Sequence, residues 1–427
     1  MCIWERLSEE EFWKEFLDYK IEKQHLMGKD LEVIEIFIES KKYLDLIGDI
    51  RKQDYIPPIP FKKEISKADT DKKRVIYSFE EDFNILLKGI AFYLYIYDSE
   101  FADNCYAFRR SYGGKDAIRR IKSIKGLKDK YCLKLDIHNY FNSIDVDILL
   151  EKLGFIKKSD EELYLFFEKL LMLDRAFVEN KSGNKYEKNE SKKDDKIDEE
   201  DYYIITEKRG AMAGTPISPF FANVYLSDMD KLFESENVIY FRYSDDILVF
   251  ADSEDDIKKY QNKILEIIIR NNLTINPEKT KLCKPRDEWE FLGFSYDNGE
   301  IDLSANTIRK MKVKIKRKAH ALRRWADRKN LSGERAARGF IKAMNKKLYT
   351  YKYQEVRGTE FSWSRWFFPC ITTDKGLKII DEYLQKYIRY AVTGRHYKGN
   401  YKISYDKLKE WGYRNLINEY WNGRNES

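Results

Sequence analysis

Two aspartates stand side by side in Tyr243-Ser244-Asp245-Asp246, between the apolar runs Val238–Tyr243 and Ile247–Ala251. Adjacent carboxylates at a hairpin tip repel each other and contribute nothing to folding. An Asx turn accounts for such a pair when it stands alone, because Asp is a good turn residue. A third carboxylate makes the pair informative. Asp136 closes another apolar run, Cys132–Leu135, 109 residues upstream. Hard cations such as Mg²⁺ take oxygen ligands, binding through one or two carboxylates together with substrate phosphates. Three carboxylates at strand ends can hold two such ions and clamp an in-line phosphoryl displacement. The four His are never three or four residues apart, and the five Cys (Cys2, Cys105, Cys132, Cys283, Cys370) form no Cys-x-x-Cys pair. Any metal is therefore expected on carboxylates rather than on His or Cys.

Strands must carry these groups. Tyr131–Ile137 reads as β, followed by helical periodicity through Leu149, Leu150 and Leu153. Val238–Tyr243 and Ile247–Ala251 read as two strands around a tight turn, after a helix over Ser218–Phe233. Residues 1–60 read as helices, with Ser8 and Glu11 as a capping box ahead of Phe12, Phe16 and Tyr19. Pro57, Pro58 and Pro60 close that segment as an extended linker. Residues 61–130 are mixed, with a polar turn at Ala68–Lys73 between two short β-like runs. Residues 181–201 hold 14 charged side chains in 21, which predicts a mobile surface insertion. No repeat of 20–50 residues suggests a solenoid.

A length of 427 residues predicts two or three domains. The net charge of +6 is unevenly spread. Residues 301–427 hold 30 basic and 12 acidic side chains, net +18, which leaves −12 for the first 300. Residues 309–347 carry 16 basic residues against Asp327 and Glu334, in a helical pattern. With 31 Tyr, this fits a polyanion-binding module with flat surfaces for bases; charge alone leaves a solvated basic face equally open. The longest apolar stretch, Gly89–Tyr97, is too short to span a bilayer. No basic region precedes an apolar run at the start, so no signal peptide is expected. The scattered cysteines fit a reducing cytoplasm.

Five motifs, in order, resemble those of reverse transcriptases. Leu135-Asp136-Ile137-His138-Asn139-Tyr140-Phe141-Asn142-Ser143-Ile144 is similar to motif A, Gly210–Leu226 (GAMAGTPISPFFANVYL) to motif B, and Tyr243–Asp246 to motif C. Pro277-Glu278-Lys279-Thr280 and Phe291-Leu292-Gly293-Phe294 resemble the two motifs that follow. The resemblance implies an α+β right-hand polymerase fold. Its parts would be an N-terminal helical extension (1–60), fingers (61–130), a ferredoxin-like palm with an antiparallel sheet (131–300) and a basic helical thumb (301–427). It also implies residue roles. Asp136 and Asp245 would hold two Mg²⁺, with the Ile137 carbonyl assisting and Asp246 as third carboxylate. Phe141 takes the family's steric-gate position, which favours deoxynucleotides (dNTPs) over ribonucleotides. Lys67 and Arg74, in a hairpin resembling the fingers, would grip the triphosphate, and Lys279 would help pyrophosphate leave. Ala213 and Gly214 fall at the incoming nucleotide. Met212-Ala213 replaces the usual Pro-Gln, so the Gln that ordinarily touches the sugar is missing. Arg109 would support the template or the fingers, and Lys312, Lys316, Arg323 and Arg324 would track the RNA–DNA duplex.

Within the family the resemblance is to the bacterial group II intron and retron-like lineage. A group II intron protein is expected to continue into a maturase region, and a retron enzyme to carry Asn-Ala-x-x-His; the sequence shows neither. Trp411–Leu416 resembles the tail of defence-associated reverse transcriptases, possibly type 2. That implies copying of a partner noncoding RNA into DNA during phage infection, in the cytoplasm and away from membranes. A retron or group II intron-type enzyme, or a catalytically dead RNA-binding module, is the alternative.

Overall fold

The computed structural model describes residues 2–24, 26–66, 73–180, 202–349 and 363–425. The charged stretch 181–201 and the fingers residue Lys67 lie outside the described residues. The chain forms two compact units, Met1–Gly113 with Leu133–Lys281, and Gly114–Cys132 with Leu282–Ser427.

The first unit opens with helices Ile3–Ser8, Glu10–Gln24, Lys29–Glu39 and Lys42–Ile50. They close on aromatic side chains: Trp13 is fully buried, and the rings of Phe16, Phe37 and Tyr43 lie 5.5, 5.4 and 5.1 Å from its own. Gly89, on helix Glu81–Tyr93, admits that indole; a Cβ there would stand 2.6 Å from the ring. The expected capping box is not formed. The chain breaks at Glu9, so Ser8 ends the first helix and its hydroxyl donates to the Trp4 carbonyl (2.7 Å).

Strands β1 (Phe61–Ser66) and β2 (Lys73–Ser78) form an antiparallel hairpin with Ser66 opposite Lys73. Strand β3 (Tyr131–Asp136) ends on the motif A aspartate. Strands β4 (Arg175–Glu179) and β5 (Tyr202–Thr206) pair antiparallel, and β4 runs parallel to β1, giving the order β2-β1-β4-β5. β4 and β5 thus share a sheet with β1 and β2, a long-range pairing that strand periodicity does not encode. Strands β6 (Ile239–Tyr243) and β7 (Asp246–Ala251) pair with Tyr243 opposite Asp246. With β3 they form a second sheet, ordered β6-β7-β3-β8, whose edge strand β8 (Lys281–Cys283) lies where the chain passes to the second unit. The helix expected over Ser218–Phe233 breaks at Leu226 into Ser218–Tyr225 and Ser227–Ser235.

The second unit sets an antiparallel sheet of β9 (Trp289–Phe291), β10 (Phe294–Asp297) and β11 (Glu300–Leu303) before helices Ala305–Arg328, Gly333–Leu348 and Lys375–Thr393, which pack on one another. Ser304 and Ser332 cap the first two helices by accepting from the Thr307 and Arg335 amides. Asp381, buried on the third, accepts from the Tyr413 hydroxyl (2.6 Å) and the Leu416 amide (2.9 Å), anchoring the C-terminal Trp411–Leu416 segment. This mixture of helices and antiparallel sheets is the α+β architecture expected from the motifs. No helix among the described residues is long and apolar enough to cross a membrane.

Beneath the β6–β7 hairpin lies a charge pair with no solvent exposure on either side chain. Arg242 on β6 meets Asp230 on helix Ser227–Ser235. Its Nε donates to Asp230 Oδ1 (2.8 Å), as does the Tyr240 hydroxyl (2.9 Å). The guanidinium also reaches the carbonyls of Asn223 and Ser244 (both 3.3 Å). Removing one partner strands the other without solvent. Asp230→Ala should therefore cost about 3–5 kcal/mol in urea unfolding, and Asp230→Leu with Arg242→Met should recover most of that loss. Equal stability of Asp230→Ala and wild type would refute the pair's structural weight.

Candidate active site

β6 and β7 are joined by Ser244 and Asp245. Ser244 has φ 60°, the sign that primed hairpin turns use to match strand twist. β3 meets this turn directly: the Ile137 amide donates to the Asp245 carbonyl (3.1 Å). Two chain segments 109 residues apart are thereby joined through main chain next to their carboxylates. Asp136 is buried, its Oδ1 accepting from Asn276 Nδ2 (3.3 Å) and its Oδ2 from Lys279 Nζ (2.6 Å). The Asn276 amide donates to the Asp136 carbonyl (2.7 Å), so the loop that carries Lys279 is tied to the strand end.

The electrostatics follow from crowding in low dielectric. Burial raises the Asp245 carboxyl above the ordinary range; the Asp136 charge adds to the shift, while Lys279 and Arg74 oppose it. Burial pushes Asp246 to about 6; Lys134 opposes, and Asp245 and Asp136 reinforce. Such a cluster of uncompensated negative charge is what a divalent cation relieves, and the Lys279 ammonium already stands on one of its oxygens. Among the described residues no three His, Cys, Asp or Glu side chains form a ready-made metal cage. A Mg²⁺ site does not require one, since this ion keeps waters and binds with one or two carboxylates plus substrate phosphates. Asp136 and Asp245 fit that description.

Motif B wraps the other side of motif A. Gly210 has φ 57°, and a Cβ there would stand 2.6 Å from the Phe141 carbonyl oxygen. Gly214 has φ 103° and lies against Tyr77 of β2. The Ala211 amide donates to the Phe141 carbonyl (2.8 Å), and the Tyr77 amide to the Ala213 carbonyl (2.7 Å). One side chain joins all three segments: Asn142 accepts from the Ala213 amide (3.0 Å) and donates to the Val75 carbonyl (3.2 Å). Phe141 is half-buried, edge-on to Phe108 at 6.2 Å, and Phe108 lies 6.2 Å from Tyr243. Asn142 and Arg242 carry the geometry and were not singled out by sequence. Both act through hydrogen bonds to groups distant in the chain, which residue spacing does not disclose.

The family described as "Reverse transcriptase (RNA-dependent DNA polymerase)" matches residues 62–296, more than half of the chain. The chain belongs to the reverse transcriptase family. It is 28% identical over 106 residues to the retron Ec86 reverse transcriptase of Escherichia coli, covering 24% of this chain and 33% of that protein. It is 33% identical over 99 residues to an enzymatic polyprotein of Cassava vein mosaic virus, covering 22% of this chain and 15% of that protein. The chain thus spans a third or less of these relatives. Among solved structures, apo telomerase from Candida Tropicalis aligns over 84% of this chain and 70% of its own, with a TM-score of 0.45 and 14% identity. Telomerase from Candida albicans in complex with a TWJ fragment of telomeric RNA aligns over 88% and 68%, with a TM-score of 0.39 and 13% identity.

The first unit of this reverse transcriptase brings together Asp136, Ile137, Asp245, Asp246 and Lys279, with Arg74 close enough to act on Asp245. Of the two roles suggested by its motif, support of the template or of local packing, Arg109 has the geometry of the second. It is buried, donating to the Ala102 (2.7 Å) and Asp98 (2.9 Å) carbonyls and packing over the Tyr112 ring, so it ties together the segment from Asp98 to Tyr112. Lys312, Lys316, Arg323 and Arg324 lie in the second unit. Lys316 and Arg324 are exposed, and Lys312 sits over the Tyr383 ring at 5.4 Å. Arg323 is engaged internally, with its guanidinium on Asp327 and on the Val392 carbonyl (2.6 Å) in the last turn of helix Lys375–Thr393.

The raised Asp246 carboxyl holds its proton more readily in the folded chain than in the unfolded one. It favours the metal-free fold at low pH, and that contribution is lost as pH rises through about 6. Asp246→Asn in chelator should stabilise the protein at pH 8 by on the order of 2 kcal/mol, the gain fading below about pH 6. A pH-independent difference would contradict this. Asn142→Asp keeps the shape but turns the donor facing Val75 into an acceptor. It should lower kcat/KM for nucleotide addition about tenfold while leaving the circular dichroism spectrum unchanged.

Proposed function

We propose that this chain is an RNA-directed DNA polymerase that adds dNTPs to a primer 3′ end by phosphoryl transfer. The observation that carries the reading is the meeting of Asp136, buried, and Asp245, part-buried, tied through main chain and standing beside Lys279. Two Mg²⁺ held by Asp136 and Asp245, with the Ile137 carbonyl and Asp246 assisting, would lower the pKa of the primer hydroxyl and neutralise charge on the triphosphate. The chain's own groups set the rest. Arg74 on β2 is exposed and close to Asp245, suited to bidentate contact with phosphate oxygens, and Lys67 would add to that grip. Lys279 would follow charge from the Asp136 carboxylate to the departing pyrophosphate. Phe141, braced by Phe108, would exclude a 2′-hydroxyl. With Ala213 in place of Gln, the nucleotide would be seated by motif B backbone that Asn142 holds.

The template is an RNA, gripped along its duplex with DNA by the thumb cations Lys312, Lys316 and Arg324. The finer reading is a bacterial, defence-associated enzyme of the cytoplasm that copies a partner noncoding RNA. Partial identity to a bacterial retron enzyme and the Trp411–Leu416 segment support it. Intact carboxylates at all three motif positions argue against a dead RNA-binding module.

Primer extension on an RNA template with Mg²⁺ and dNTPs tests the assignment. Wild type should extend, and Asp245→Ala should lose at least about a thousandfold in rate. Phe141→Ala should retain extension and admit ribonucleotides. Equal rates for wild type and Asp245→Ala would overturn the catalytic role, and unchanged sugar discrimination would remove Phe141 from the gate.

A further inference from the structure

A cavity of about 460 Å³ in the first unit is lined by Asn142 of motif A and Gly210 of motif B, but by none of Asp136, Asp245, Asp246 or Lys279. Its volume suits a small organic ligand. Arg209, the residue before Gly210, also lines it and is only 3% exposed. Its Nε, Nη1 and Nη2 atoms have no hydrogen-bond partner among the described residues. A guanidinium stays protonated in proteins and presents its N–H donors as a rigid fork, so burying it unpaired opposes the fold. Burial lowers its hold on the proton, against the pull of Tyr77, Glu207 and Asp174.

Two carboxylates in the lining are engaged elsewhere. Glu207 accepts from the Tyr77 hydroxyl (2.9 Å) and from the Lys62 ammonium. Asp145 accepts from the Asp147 (3.0 Å) and Ile148 (3.3 Å) amides and from Asn272 Nδ2 (3.0 Å). Asp174 is different. It is exposed, close enough to act on the Arg209 charge, and its carboxylate makes no hydrogen bond among the described residues. The cavity thus offers an unused donor fork and an unused acceptor, with Ile144, Leu171 and Leu173 supplying apolar surface. Carboxylates outnumber cations in the lining four to two, which disfavours a chain of phosphates. A flat neutral group with acceptors on one edge and donors on the next fits better. Guanine has that pattern: O6 and N7 accept an arginine fork, and the N1 and N2 hydrogens suit a carboxylate. Adenine would turn its N6 donor toward the arginine.

We propose that this cavity takes a guanine base, with Arg209 on O6 and N7 and Asp174 on the N–H edge. The site is separate from the carboxylates of motifs A and C, and it stands whether or not they catalyse nucleotide addition.

Isothermal titration calorimetry of the full chain in chelator, with guanosine and with adenosine, tests this. Guanosine should bind at a single saturable site, and adenosine at least about tenfold more weakly. 7-Deazaguanosine, which lacks the N7 acceptor, should bind several-fold more weakly than guanosine. Arg209→Met keeps the stem and removes the donors, so it should weaken guanosine about tenfold or more while melting no lower than wild type. The exposed change Asp174→Asn should weaken it several-fold. Three binding results overturn the proposal: no saturable guanosine binding, equal affinity for adenosine, or guanosine affinity unchanged in both variants. A sharp fall in the Arg209→Met melting temperature also overturns it, because the guanidinium would then be held within the fold. Displacement of guanosine by an oligouridylate with one central guanine assigns the base to RNA, and displacement by GMP but not by that RNA assigns it to a free nucleotide.

Discussion

Mutual repulsion among Asp136, Asp245 and Asp246 is the constraint around which the first unit is organised. Burial raises the proton affinity of Asp245 and Asp246, the neighbouring negative charges add to it, and both effects oppose the fold that gathers them. The chain answers with fixed backbone. The Ile137 amide holds the Asp245 carbonyl, and the Asn276 amide holds that of Asp136. Below the hairpin, the buried Arg242–Asp230 pair fixes β6 and reaches the Ser244 carbonyl. Rigid support of this kind keeps charges close that would otherwise separate, which is what a cation site for phosphoryl transfer needs.

Motif B depends on a different device. Gly210 and Gly214 let motif B approach motif A and β2 at distances a Cβ would prevent. Asn142 then locks the three segments through both ends of one amide. Because these contacts involve main chain, they tolerate the absence of a Gln at position 213. The loop is held through Asn142 and main chain without that side chain.

Much of this was legible in the sequence because the chemistry is written as short apolar strands ending in carboxylates. Tyr131–Ile137, Val238–Tyr243 and Ile247–Ala251 were each found within a residue or two of β3, β6 and β7. Motif order carried the family and the α+β class. What sequence could not supply were partners distant along the chain. The pairing of β4 with β1, the burial of Arg109 on Asp98, and the closure of Arg323 on Val392 all depend on tertiary placement. Basic side chains show this most clearly. An Arg that tracks phosphate and one that caps a carbonyl read identically until the neighbouring helix is in view. The Ser8 capping box failed for a related reason, since a break at Glu9 moved the helix start beyond it.

The central claim is that Asp136 and Asp245 together form the cation site of a polymerase. Mn²⁺ titration followed by electron paramagnetic resonance, with a dNTP and primer–template present, tests it most directly. Wild type should show site-bound Mn²⁺, and Asp136→Asn/Asp245→Asn should lose it with primer–template affinity retained. Unchanged Mn²⁺ stoichiometry and affinity in that double variant would contradict it.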